Sequence, residues 1–104
     1  MKNIYSNIYK PNFLNIKKAK KNIENNKIIG IPTETVYGLA GNAYSNKSAT
    51  KIFLLKKRPW FNPMIVHYYN LDDLKKDVVL NNTFLKLYKV FCPGPITFVL
   101  KKSK

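Results

Sequence analysis

Residues 28–43 read IIGIPTETVYGLAGNA, and this stretch sets the fold class that the sequence predicts. Its first five residues form a short apolar run ended by a proline, which predicts a buried strand. The segment that follows contains the hydroxyls of Thr33, Thr35 and Tyr37 and two glycines, but no lysine. Because open α/β sheets tend to bind ligands at the carboxyl ends of their strands, this loop is a candidate ligand site.

Working outward, the spacing of apolar residues predicts the other elements. Helices are predicted at 14–26, 46–57, 71–76 and 83–91, with Asn46 as the cap of the second. Runs of β-branched and aromatic residues predict strands at 64–69 and 96–100. This alternation of helices and strands indicates an α/β fold in which helices pack on a sheet.

The composition restricts the class of protein. With 104 residues there is room for one small domain, and a hydrophobic fraction of 45% is enough for a packed core. No apolar run approaches the ~20 residues that a membrane span requires. The N-terminus MKNIYSNIYKPNF has neither an apolar core nor a cleavage site of a signal peptide, and Cys92 is the only cysteine. We therefore expect a cytoplasmic protein without an internal disulfide.

The charge has two explanations. A formal net charge of +14 suits an RNA-binding surface. However, lysine, asparagine, isoleucine and tyrosine all have AT-rich codons, and we favour this compositional explanation. Arg58 is the only arginine in the chain. A codon bias toward lysine would spare an arginine chiefly where a forked guanidinium is needed to grip phosphate or carboxylate.

The residue chemistry points to an anionic ligand, such as a nucleotide or a carboxylate. Lys56 and Arg58 flank one residue at the end of the second predicted helix, near the hydroxyl-rich loop in sequence. One cysteine and one histidine, His67, cannot form a zinc site, and no nucleophilic triad is suggested. Trp60 and Phe61 are most simply explained as packing residues.

Three segments of the chain resemble the successive signatures of the YrdC-type threonylcarbamoyl-AMP synthases. They are IPTETVYGLAGNA, KIFLLKKRPWFNPMIVH and PGPITFVLKK, and the resemblance runs from about residue 14 to the end. It implies a twisted open mixed α/β sheet with packed helices and a concave basic cavity. Family domains continue beyond the last segment and carry a Ser-x-Asn motif there, so we expect residues 1–104 to be a single YrdC-like domain that is incomplete at its C-terminus.

The resemblance also implies an activity. Such nucleotidyltransferases make threonylcarbamoyl-AMP from L-threonine, bicarbonate and ATP with Mg²⁺, and release pyrophosphate. Downstream proteins then transfer the threonylcarbamoyl group to tRNA. The resemblance allows direct binding of tRNA or double-stranded RNA, and the alternative is a non-catalytic RNA-binding module or an inactive fragment.

The resemblance also implies which residues form the site, from their positions in the motifs. The resemblance implies that Lys56 and Arg58 are catalytic and line the nucleotide phosphates, and that Asn62 joins the ATP site. It places Thr35 and His67 on the threonine side of the cavity. Thr33 and Tyr37 are weaker candidates for the cavity wall, and no metal ligand is implied.

Overall fold

A computed structural model of the chain describes residues 7–104. The first six residues, which begin the stretch used for the signal-peptide expectation, lie outside the described part. The chain divides into two compact units, residues 1–62 and 63–104, and each is described by itself below. Among residues 7–104, no helix is long and apolar enough to cross a membrane.

The four predicted helices are confirmed, with small shifts at their ends. In the described part of the chain they are α1 (Phe13–Glu24), α2 (Asn46–Leu55), α3 (Leu71–Leu74) and α4 (Asn82–Phe91). Each is preceded by a residue whose side-chain oxygen accepts an N–H from the first turn: Asn12, Ser45, Asn70 and Asn81. The prediction that Asn46 caps α2 is wrong by one residue. Ser45 has the extended backbone of a cap, and its Oγ accepts from the Ser48 N–H at 3.2 Å.

Helices α1 and α2 of the first unit end in the same type of hydrogen-bonded turn. After α1, Asn26 takes a left-handed conformation with φ of 60°, and the Lys27 N–H donates to the Asn22 carbonyl at 2.9 Å. After α2, Lys57 takes φ of 51°, and the Arg58 N–H donates to the Phe53 carbonyl at 2.9 Å. This six-residue closure satisfies carbonyls that the helix leaves unpaired, and it fixes where the chain goes next.

The predicted strand at 28–32 is confirmed as β1 (Ile29–Ile31), but it is only half-buried. It pairs with a second strand, β2 (Gly38–Ala40), which the sequence did not predict. The pairing is antiparallel, with Ile29 opposite Ala40 and Ile31 opposite Gly38. The fold is therefore mixed α and β with a two-stranded antiparallel sheet among the described residues, and the larger twisted open sheet stays a prediction.

The predicted strands at 64–69 and 96–100 are wrong, because neither segment forms a regular strand. A strand needs a hydrogen-bonded neighbour. In the second unit, the only strand-like pairing among the described residues is an isolated bridge between Val78 and Lys102. Burial along 96–100 still alternates residue by residue, and Phe98 packs edge-on against Phe84 of α4 with ring centroids 4.8 Å apart.

The core of each unit is small. Among the large apolar side chains described, Ile52 in the first unit and Phe84 in the second are buried. Beside Ile52, Gly41 lies against α2 so closely that a Cβ there would be 3.2 Å from the Ser48 Cβ. Ser48 is itself buried. The close approach that glycine permits at position 41 therefore serves helix packing.

Candidate functional site

The hydroxyl-rich segment forms the loop of the β1–β2 hairpin, organised around Thr33. The Thr33 Oγ1 accepts the backbone N–H of Thr35 at 3.3 Å and that of Val36 at 3.2 Å. The same hydroxyl donates to the Val36 carbonyl. The Thr33 hydroxyl therefore makes the hydrogen bonds that a backbone carbonyl would make in an ordinary turn, a use of threonine that is common in tight loops.

This turn determines what the Thr35 hydroxyl can do. The hydroxyl oxygens of Thr33 and Thr35 are 3.4 Å apart. Because the Thr33 hydroxyl already donates to the Val36 carbonyl and accepts two backbone N–H groups, its proton and both lone pairs are engaged, and the Thr35 hydroxyl remains available to a ligand. Thr35 and Tyr37 are both exposed. Of the two threonines, both exposed, Thr33 holds the loop through its hydrogen bonds, and Thr35 is the candidate contact.

The loop after α2 is closed by Arg58 and Asn62. The Arg58 Nε donates to the Asn62 carbonyl at 2.9 Å, and its Nη2 donates to the Asn62 Oδ1 at 3.4 Å. The Asn62 N–H in turn donates to the Pro59 carbonyl at 2.9 Å. These two-point contacts use the fork of the guanidinium, which a lysine ammonium could not reproduce. The structure thus brings together two residues that the sequence assigned to ATP.

The neighbouring cations are less constrained. Lys56 ends α2 and is exposed, as is Lys57. Within residues 7–104, neither ammonium forms an ion pair: the lysines paired with acids are Lys20, Lys75 and Lys76. Residues 35–71 contain no Asp or Glu at all. The end of α2 is therefore a local concentration of positive charge suited to an anion.

The remaining predicted residues differ from expectation in two respects. His67 belongs to the second unit, where it is exposed and lies in an irregular segment. The interpretation of Trp60 and Phe61 as packing residues is wrong, since their side chains are 87% and 71% exposed. They contact each other edge to face, with ring centroids 5.9 Å apart.

An open groove of about 590 Å³ lies beside this loop. Its lining includes the apolar residues Phe53, Leu54, Pro59 and Trp60, together with Lys57 and Arg58. Sequence reasoning missed this groove. The signal that could have found it is the pair of aromatic residues that follows a run of cations and a proline, at the point where the chain leaves the helix.

Metal ligands do not gather at any of these positions. Among residues 7–104, no group of three His, Cys, Asp or Glu side chains is arranged to hold a metal ion. The donor set at the candidate site is instead hydroxyl, amide and cation, which fits an anionic or zwitterionic organic ligand.

Comparison with known proteins places these motifs in a family. The Sua5/YciO/YrdC family, described as telomere recombination, matches residues 21–104. The chain belongs to this family. The match covers the Thr33 turn, the Arg58–Asn62 loop and His67, so every candidate site residue lies within the region shared with the family.

Individual relatives agree with this assignment. A protein from Methanocaldococcus jannaschii, whose name includes the words threonylcarbamoyl-AMP synthase, is 33% identical over an alignment of 107 positions that covers 99% of this chain and 52% of the relative. The threonylcarbamoyl-AMP synthase of Pyrococcus abyssi is 41% identical over 79% of this chain and 24% of its own length. That of Bacillus subtilis is 37% identical over 82% of this chain and 25% of its own. The chain thus spans about half of one curated relative and about a quarter of the other two.

Proposed function

We propose that this chain acts in the synthesis of threonylcarbamoyl-AMP from L-threonine, bicarbonate and ATP. The observation that carries the proposal is the family match over residues 21–104, which includes the loop closed by Arg58 and Asn62. The activity named for the relatives requires a nucleotide, an amino acid and a site where two anions meet. The residue types in the matched region suit each of these demands.

The nucleotide side of the proposed site is the end of α2. Carbamate and triphosphate repel each other, so bringing them together requires fixed positive charge. In our proposal, Lys56 and Arg58 neutralise the phosphates, and Asn62 contacts ATP while it holds the guanidinium. Because Asn62 already fixes the Arg58 guanidinium, phosphate binding would cost less conformational entropy.

The threonine side of the proposed site is the hairpin loop. The Thr35 hydroxyl, which remains available to a ligand, would accept from the amino or hydroxyl group of the substrate. Thr33 contributes by holding the loop, and Tyr37 offers a wall of aromatic surface. We also propose His67 as a threonine contact, on the ground of its motif position alone. In this loop a lysine would place a cation where a neutral hydroxyl is needed.

Mg²⁺ and the downstream partners complete the proposal. Mg²⁺ would enter with ATP, held by the phosphate oxygens, where it withdraws charge from the α-phosphate. The described residues offer cations for the phosphates and no acidic cage for the metal. The product, a threonylcarbamoyl adenylate, would then be consumed by proteins that acylate an adenosine of tRNA.

The test is pyrophosphate release from ATP. We expect release to require L-threonine and bicarbonate together, measured on this chain alone and again with the part of the M. jannaschii relative that the chain does not match. Arg58→Lys should lower kcat/KM by about tenfold or more, because a charge-assisted two-point contact is worth ~1.5–3 kcal/mol. The matched control is Lys57→Arg, the reverse exchange one residue earlier, which should have little effect.

Two results would contradict the proposal. Pyrophosphate release that is unchanged when threonine is omitted would mean a different nucleotide reaction. An Arg58→Lys variant as active as the parent would mean that the guanidinium fork has no role in the nucleotide site.

A further inference from the structure

Asp77 joins three segments of the second unit. Its N–H donates to the Leu74 carbonyl at 3.0 Å, at the end of α3, and its carbonyl accepts the Ser103 N–H at 2.9 Å. Its carboxylate Oδ2 accepts the hydroxyl of Tyr68 at 2.8 Å. We call these contacts the Asp77 junction. The junction connects α3 and the backbone at Ser103 to the irregular segment 64–69.

The backbone on either side of Asp77 is also held. Val78, the next residue, forms an isolated antiparallel bridge with Lys102. The carbonyl of Lys76, the preceding residue, accepts the Ser103 hydroxyl at 3.1 Å. The backbone dihedral angles limit which side-chain rotamers a residue can adopt. Contacts that fix the backbone around Asp77 therefore also limit the positions of its carboxylate.

Tyr68 links this fixed carboxylate to the neighbouring residue, His67. The Tyr68 side chain is half-buried, whereas His67 is exposed. A hydrogen bond from a hydroxyl to an ionised carboxylate is stronger than one between neutral groups. Consecutive Cα atoms are about 3.8 Å apart, so an anchor at residue 68 restricts where residue 67 can lie. The Asp77 junction therefore restricts the backbone from which the His67 imidazole extends.

We propose that Tyr68 is a positioning residue, which holds the segment that presents His67 to L-threonine. The inference rests on the proposed function, in which His67 contacts threonine and Tyr68 itself touches no substrate. A less restrained segment would lose more conformational entropy when threonine binds. The hydrogen bond to Asp77 orders the segment beforehand and so lowers that cost.

The test is a titration with L-threonine followed by NMR of the His67 ring. His67 is the only histidine of the chain, so its imidazole signals are unambiguous. ATP is present and bicarbonate is left out, so that no product forms. We expect threonine to shift these signals in the parent. Tyr68→Phe should raise the half-saturating threonine concentration about fivefold or more, which is part of the roughly tenfold or greater effect of a hydrogen bond to a charged group.

Matched variants separate positioning from stability. Tyr68→Phe keeps the ring and removes only the hydroxyl, and Tyr69→Phe removes the same group from a neighbouring side chain that is 94% exposed. Tyr69→Phe should titrate as the parent does. Asp77→Ala should weaken threonine as much as Tyr68→Phe, and the double variant should be no weaker than either, because both remove one interaction. Asp77→Asn keeps an acceptor oxygen and should retain part of the affinity.

A role of Tyr68 in stability alone would lower the urea midpoint of unfolding and leave the threonine titration unchanged wherever circular dichroism shows the variant folded. The proposal therefore fails if half-saturation of folded Tyr68→Phe lies within about twofold of the parent. It also fails if Tyr69→Phe weakens threonine as much as Tyr68→Phe does.

Pyrophosphate release, measured on the same samples after bicarbonate is added, distinguishes this inference from the proposed function. Release that requires threonine, together with His67 signals that threonine leaves unchanged, would overturn the inference and leave the proposed function standing. His67 signals that respond to threonine and depend on Tyr68, without threonine-dependent release, would support the positioning role and contradict the proposed synthesis.

Discussion

Replacing Gly41 by alanine tests how the hairpin is held against α2. A Cβ at this position would lie 3.2 Å from the Ser48 Cβ, 3.3 Å from the Ile28 Cγ2 and 3.5 Å from the Ile52 Cδ1. Carbon atoms pack best at about 3.5–4.0 Å, so the first two contacts are too short. The Ser48 Cβ moves only with the helix backbone, and the branched Ile28 side chain is stiff at χ1. We expect an overpacking cost of about 1–3 kcal/mol in the free energy of unfolding.

Gly30→Ala is the matched control for this change. A Cβ at Gly30 meets no atom within 4 Å, and neither glycine has a positive φ. Both substitutions stiffen the unfolded chain similarly, which alone would stabilise by ~0.4–1 kcal/mol. The difference between the two variants therefore isolates the clash.

The assay is urea unfolding followed by circular dichroism, with sulfate added to support the small core. Hydrogen exchange of the α2 amides reports the same opening locally. We expect Gly41→Ala to unfold at lower urea and exchange faster than Gly30→Ala. Equal stability of the two variants, within about 0.5 kcal/mol, would refute the reasoning, since that is the usual scatter for a substitution free of clashes.

Two further predictions concern α2. Lys57→Gly should stabilise the first unit by about 1 kcal/mol, because Lys57 has φ of 51° and glycine takes that conformation without strain. Lys56→Gly should destabilise the unit in the same urea assay, because Lys56 has a right-handed conformation. Equal effects of the two glycines would contradict this. Ser48→Ala should stabilise by about 1 kcal/mol, because the buried Ser48 Oγ has no hydrogen-bond partner among the described residues, while Ser45→Ala should cost about as much by removing the cap. A loss of stability in Ser48→Ala would show that its hydroxyl is satisfied in solution.

The helices could be predicted from the sequence because their signals are local. Helical spacing and nearby asparagine or serine caps locate α1, α2 and α4 to within a few residues. Strands could not be predicted as well, because a strand exists only with its partner. Residues 96–100 have the right composition and alternating burial, yet no neighbour pairs with them regularly in the described part of the chain. Conversely, β2 consists of Gly38, Leu39 and Ala40, which have weak strand propensity and are strand only through their pairing with β1.

The candidate site follows the same distinction between local and distant contacts. Thr33 binds backbone groups two and three residues away, and Arg58 binds a residue four positions away. Arg58 is also placed by the closing turn of α2, which spans six residues. Such geometry is encoded by short segments and depends little on the rest of the chain. The motifs that identify the family therefore keep their local shape with little support from the small core. For this reason, substitutions at Gly41 should lower stability before they alter these loops, whereas substitutions at Thr33 or Arg58 should alter the loops first.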